Sequence, residues 1–233
     1  MHFDHPFISE PKICNFFSYE NLFVIESNFN LEKYNRSLFT QFGIDFPNQL
    51  FSSVKKRQAE FLAGRVVAKH GLRKFGKAHI PVTIGEKRAP IWPDGIMGSI
   101  SHSGEKALCA ITNKTDFKFL GVDHEEIISN DIYEISEQIL CSGELQRLES
   151  SDLLFNEAIT LAFSAKESLF KALFPIVKDY FNFSAARIES IDLKTKTFKI
   201  ALVETLNRKL GAGKILNGKY HLNPSNVTTL IVE

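Results

Sequence analysis

The sequence is short of most features that mark a special environment. Cysteine occurs three times in 233 residues, at Cys14, Cys109 and Cys141, an odd number without paired close spacing. That excludes a disulfide framework and a cysteine-based zinc site. Charge of either sign is not in excess, with 28 Lys and Arg against 27 Asp and Glu. No global field therefore recruits nucleic acid or an anionic membrane, and any anion site must be local. No apolar run approaches the roughly 18 residues a membrane span requires, and Met1-His2-Phe3-Asp4-His5-Pro6 lacks a basic stretch followed by an apolar one. These absences read as a soluble protein of a reducing cytoplasm, with neither nucleic acid nor membrane among its partners. What remains is globular material, 44% hydrophobic and 24% charged, enough for one large domain or two small ones.

Along the chain, the first fifty residues are rich in Phe and Asn and read as short strands and loops. From Ser53 the apolar and basic residues recur at helical spacing (Val54, Arg57, Phe61, Leu62, Arg65, Val66, Lys69, Leu72), which predicts a helix over 53–75 with Gly76 as its stop. A loop of turn formers over 85–95 leads to a short glycine-flanked turn carrying Ser101-His102-Ser103, and 108–112 reads as a buried strand. A second apolar run, 117–122, is strand-like and ends in Asp123-His124-Glu125. A helix is expected over 136–149, and the clearest helix spans 157–174, stopped by Pro175. The last third alternates as strands at 183–191, 197–204 and 227–232, a sheet for that helix to pack on. Each half thus holds one long helix and several strands. A weak duplication with its seam at the polar stretch Asn113-Lys114-Thr115-Asp116 divides the chain into halves 1–115 and 116–233.

Three constellations could carry chemistry. In an extended segment Asp123 and Glu125 point to one face and His124 to the other, while Glu167 and Lys171, four apart on a helix, share a face. Two or three acids beside lysines suit Mg²⁺ bridging a phosphate. The same spacing also fits solvated strand-end acids and an exposed helical pair of small energetic worth, and that reading is the commoner one. Ser101 and His102 lie between Gly98 and Gly104, where glycine allows a phosphate close approach; a hydrogen-bonded structural histidine is the alternative. No Gly-x-Ser-x-Gly elbow supports a serine nucleophile. Basic residues Lys55, Lys56, Arg57 and Arg65 on the first helix, with Lys87 and Arg88 in the loop, either hold a polyphosphate or form a solvated face.

Taken in order, Phe61-Leu62-Ala63-Gly64-Arg65, Lys87-Arg88-Ala89-Pro90-Ile91-Trp92-Pro93, Gly98-Ser99-Ile100-Ser101-His102-Ser103, Gly121-Val122-Asp123-His124-Glu125 and Phe163-Ser164-Ala165-Lys166-Glu167-Ser168-Leu169-Phe170-Lys171 resemble the surfactin-type 4'-phosphopantetheinyl transferases, on the branch of the enterobactin synthetase component D enzymes. The likeness covers about 55–175, and its last two motifs are the specific ones. It implies an α/β (α+β) fold, a pseudo-dimer of two similar α/β halves with coenzyme A in the cleft between them. The implied reaction moves the phosphopantetheine arm of coenzyme A onto a serine of an acyl or peptidyl carrier protein, releasing adenosine 3',5'-bisphosphate.

By residue, the resemblance implies Asp123, Glu125 and Glu167 as Mg²⁺ ligands, with Glu167 also the base and Lys171 assisting the leaving phosphate. It implies His102 and Ser101 on the coenzyme A phosphates, Arg57, Arg65, Lys87 and Arg88 as further nucleotide contacts, and Lys166 helping to fix the nucleotide. His124 departs from the aliphatic residue usual between the two acids. The carrier is expected near 139–148, its pathway (siderophore, polyketide or fatty acid) left open, and a monomer suffices. A non-catalytic coenzyme A-binding module and a metal-dependent phosphohydrolase are the competing readings.

Overall fold

A computed structural model describes residues 5–141 and 143–233. The leader reading made on Met1 to Asp4, and Ser142 within the helix expected over 136–149, lie outside the described residues. The chain divides into two units, Met1–Phe117 and Lys118–Glu233, each with a hydrophobic core of its own.

In the first unit the strands are β1 (Lys12–Cys14) and β2 (Phe23–Asn28), followed by helices α1 (Leu38–Phe42) and α2 (Lys55–Leu72). A two-stranded ribbon of β3 (Thr83–Ile84) and β4 (Pro90–Ile91) precedes β5 (Ile96–Ser103) and β6 (Lys106–Asn113). The main sheet is antiparallel in the order β1-β2-β6-β5. α2 buries Ala59, Leu62, Ala63, Val66, Val67 and Leu72, at the three-to-four spacing that puts them on adjoining faces of one helix. Gly71 lets the helix lie close on the sheet, because a Cβ there would press on Ile25 and Ile111. The helix continues as a 3₁₀ turn over Arg73–Phe75 and ends at Gly76 in the left-handed region, φ 67°, where glycine carries no steric penalty.

The Ser101-His102-Ser103 segment is not a turn. It lies inside β5, opposite Leu108, Ala107 and Lys106 of β6, and the turn falls one residue later at Gly104, φ 57°. Gly104, expected to flank a turn carrying these residues, is itself the corner of a β-hairpin, and the hydroxyl–imidazole pair is held by the ladder.

In the second unit the order is β7 (Leu120–Glu126), α3 (Ile132–Ile139), α4 (Glu144–Glu149), α5 (Phe155–Val177), β8 (Ala186–Asp192), β9 (Thr197–Leu202), β10 (Ile215–Leu222) and β11 (Asn226–Val232). The sheet is antiparallel, β7-β11-β10-β9-β8. The single helix expected over 136–149 is two, because Leu140 is extended and Gly143 left-handed, φ 75°. Ile139 and Leu148, the ends of the stretch expected to receive a carrier, are buried in the core. Pro175 does not stop α5, which runs on to a left-handed Lys178, although a proline beyond the first turn lacks the N–H that would bond the carbonyl four residues back. Strand β10 escaped the sequence reading because Gly218 and its polar neighbours interrupt the apolar alternation, yet Gly218 is where the Phe198 ring lies against the backbone.

Helix α5 packs on β7 and β11 through small residues. Ser168 Oγ reaches the Thr229 carbonyl at 3.0 Å, and Ser164 Oγ and Thr229 Oγ1 stand 2.9 Å apart. The closest approach is at Gly121, where a Cβ would collide with the backbone of Ser168 and Ala172. Since backbone cannot swing aside as a side chain can, Gly121→Ala is expected to cost about 3 kcal/mol, read as a lowered urea midpoint at unchanged m-value. The topology is mixed α/β, and both units lay one long helix across an antiparallel sheet.

Candidate functional site

In the second unit the site begins with strand alternation. Gly121 faces α5, so Asp123 and Glu125, two and four residues on, face it too. His124 points the other way, buried, its Nδ1 2.8 Å from Thr228 Oγ1 on β11. Lys171 Nζ on α5 donates to Asp123 Oδ1 at 2.5 Å, and the Asp123 side chain is only 1% exposed. Glu167 stands one turn earlier on α5. Burial raises its pKa above the usual carboxylate value; the Lys171 ammonium lowers it in part, and the Asp123 charge raises it again. Burial by itself would depress Lys171, but Asp123, Glu167 and Glu125 outweigh it and leave its pKa raised.

The sign of that shift sets a pH dependence. A lysine whose folded pKa is raised contributes stability that is complete below the ordinary value of 10.5 and is lost as pH climbs through the raised one. Asp123→Asn is therefore expected to cost about 2 kcal/mol near neutrality, the worth of a hydrogen bond between charged groups. The difference from wild type should shrink in urea titrations carried above the lysine range.

Among the described residues no group of three or more His, Cys, Asp or Glu side chains is drawn together as a metal cluster; an ammonium neutralises Asp123 instead. The donor set still fits a hard divalent cation in kind, since Asp123 and Glu125 on one strand face and Glu167 on the helix above offer oxygen ligands alone.

Lys166 does not join this group. Its Nζ bonds Glu144 Oε2 and the Ile139 carbonyl, both at 2.7 Å, and the Phe183 carbonyl at 3.2 Å. The pair is sealed, with side-chain exposures of 2% for Lys166 and 0% for Glu144. Glu144 also accepts from the Cys141 and Ile188 amides. One residue before Glu167 is about 100° around the helix, which is enough to turn Lys166 into the core. The sequence reading missed Glu144 because nothing in its spacing ties it to α5.

Beside Glu167 opens a cavity of about 550 Å³, lined also by Gln138, Phe170, Tyr180, Phe181 and Phe183. Phe170 and Tyr180 stack at 5.8 Å. These aromatics were not read as functional, though the run Tyr180-Phe181-Asn182-Phe183 after α5 is a sequence signal for an apolar wall.

In the first unit Arg57, Arg65, Arg88 and His102 line one cavity of about 140 Å³. His102 Nε2 is 2.9 Å from Arg57 Nη1, and its Nδ1 is 3.7 Å from Glu60 Oε2. Arg65 is buried, its guanidinium 4.3 Å from the Phe61 ring centroid, and its Nε has no hydrogen-bond partner among the described residues. Burial of this cation lowers its pKa to about 10. Arg88 enters from a turn in which it and Lys87 both have positive φ; Lys87 is not among the lining residues. Ser101 is also outside: alternation sends Ile100, against Gly64 of α2, and His102 to one face, and the buried Ser101 to the other. Glu60 is the lining residue the sequence reading passed over, hidden among lysines and arginines.

Residues 46–112 match the 4'-phosphopantetheinyl transferase N-terminal domain, and residues 119–222 match the 4'-phosphopantetheinyl transferase superfamily. The chain belongs to the 4'-phosphopantetheinyl transferase superfamily. It is 48% identical over 126 residues to enterobactin synthase component D of Salmonella typhi, covering 54% of this chain and 52% of that protein. It is 44% identical over 125 residues to enterobactin synthase component D of Escherichia coli strain K12, covering 53% and 58%. To the 4'-phosphopantetheinyl transferase PptT of Mycobacterium tuberculosis it is 28% identical over 138 residues, covering 58% and 60%. Its branch is that of enterobactin synthase component D, and the matches span about half the length of those curated relatives. No helix among the described residues is long and apolar enough to cross a membrane.

Proposed function

We propose that this protein transfers the 4'-phosphopantetheine arm of coenzyme A to a serine of an acyl or peptidyl carrier protein. The observation that carries the reading is the meeting of Asp123, Glu167 and Lys171 across β7 and α5, inside the two most specific motifs. Glu167 takes the proton of the carrier serine, a role its raised pKa suits because a base of higher pKa holds the proton better. The serine oxygen then bonds to the β-phosphorus of coenzyme A, and the bond from that phosphorus to the bridging oxygen breaks, releasing adenosine 3',5'-bisphosphate. Lys171 donates to the leaving phosphate as charge builds there. Asp123, Glu125 and Glu167 would hold Mg²⁺, which when bound neutralises the diphosphate.

Arg57, Arg65, Arg88 and His102 bind phosphate of the nucleotide, with Lys87 and Ser101 outside the cavity and Lys166 a structural residue. The division of labour follows the halves 1–115, which binds the nucleotide, and 116–233, which carries the acids. Similarity to enterobactin synthase component D supports a carrier of a siderophore pathway. The protein acts as a monomer of the cytoplasm; its three free cysteines suit a reducing compartment.

The test is the intact mass of a purified apo carrier after incubation with the protein, coenzyme A and Mg²⁺. A gain of one phosphopantetheine, abolished by EDTA, is expected. Coenzyme A bound without any gain across several carriers would favour the binding-module reading, and phosphate released without a carrier the phosphohydrolase.

A further inference from the structure

In the cavity of the first unit the acid is the anomaly. Arg57, Arg65 and Arg88 line it, and Lys56 stands 4.0 Å from Glu60 on the solvent side. A site that gathers cations for an anion is weakened by a carboxylate unless that carboxylate has another task. Glu60 is 9% exposed, so its position is built rather than incidental. Burial raises its pKa, with Lys56 and Arg57 opposing.

The hydrogen-bonding chemistry supplies the task. A guanidinium only donates, so with Arg57 Nη1 2.9 Å away, His102 Nε2 is the acceptor and the ring hydrogen resides on Nδ1. Nδ1 is the nitrogen that faces Glu60 Oε2, at 3.7 Å. We propose that Glu60 is a positioning residue that holds His102 in the Nδ1-protonated form, so that Nε2 meets the incoming phosphate and takes up a proton as it binds. This rests on the reading of the cavity as a coenzyme A phosphate site. A phosphate competes for the Arg57 donors, and when it takes them Nε2 and the phosphate oxygen face each other as two acceptors. A proton from solvent on Nε2 turns that clash into an N–H···O contact. Glu60 behind the ring balances the imidazolium charge so formed. The other charged groups lining the cavity are Arg65 from the same helix and Arg88 from the turn after β3; the residue opposite His102 on β6 is the uncharged Ala107.

Isothermal calorimetry of coenzyme A in two buffers of different ionisation enthalpy, slightly above the imidazole range, reads the proton directly. Wild type is expected to take up close to one proton per coenzyme A, as a neutral histidine allows. Glu60→Gln should take up less than half of that and bind roughly tenfold more weakly, about the worth of one charged contact. His102→Asn should take up none while still binding through the arginines. Proton uptake absent in wild type, or unchanged in Glu60→Gln, overturns the inference and leaves the proposed function standing. Coenzyme A failing to bind wild type at all overturns both. Should Glu60→Gln not fold, uptake persisting in His102→Asn is by itself enough to sink the idea.

Discussion

Glu167→Gln is expected to lower transfer from coenzyme A to an apo carrier by at least about a hundredfold, the usual share of a positioned general base, while the protein becomes more heat-stable in EDTA. The two effects come from one cause. Glu167 sits where burial and the Asp123 charge disfavour its ionised form, with only Lys171 opposing them. A carboxyl whose folded pKa is raised favours the fold only while protonated, and that contribution is lost as pH rises through the raised value. At neutral pH the ionised Glu167 is therefore a burden that the neutral amide removes. The stability gain should fade as pH falls below 4.5, the ordinary value for glutamate, because both proteins are then uncharged at this position. A variant that turns over normally would take Glu167 out of the chemistry. One that is inactive but melts below wild type would mean the carboxylate is held by contacts worth more than its desolvation.

Lys166→Met should behave in the opposite way: expected loss of about 3–5 kcal/mol, because it leaves a carboxylate buried without its cation. Glu144 is fully buried, and although it keeps the amides of Cys141 and Ile188, two amides do not neutralise a charge. The double variant Glu144→Leu with Lys166→Met should recover part of the loss, since it removes the unpaired buried charge but leaves the Cys141 and Ile188 amides without their acceptor. Urea melts of the two single variants and the double form a cycle that tests this. If Lys166→Met instead melts like wild type and has weakened coenzyme A affinity, the nucleotide contact implied by the sequence is restored and the structural assignment falls. Glu167 and Lys166 both border the cavity of about 550 Å³; what separates them is that the Lys166 ammonium is sealed against Glu144 and the Ile139 carbonyl.

Much of the local arrangement is legible in the sequence. Alternation put Asp123 and Glu125 on one face of a strand, helical spacing put Glu167 above Lys171, and Gly76 ended a helix begun after Ser53. Each rests on a period of the backbone, 2.0 or 3.6 residues, that holds whatever the chain does elsewhere. Boundaries were less legible: the break at 140–143 and the passage of α5 beyond Pro175 depend on single residues in left-handed backbone, Gly143 and Lys178.

Composition and local periodicity are properties of the chain alone, and they set which chemical groups are present and the order of the elements that carry them. Which groups face which follows from the packing of those elements. Ser101 and His102 are neighbours in sequence but lie on opposite faces of β5, and Lys166 and Glu167 point to different sides of α5. Glu60 and Glu144, which no motif announced, stand against His102 and Lys166. Charge pairing acts over a few ångströms in space, and which residues come that near is set by how a helix packs on its sheet.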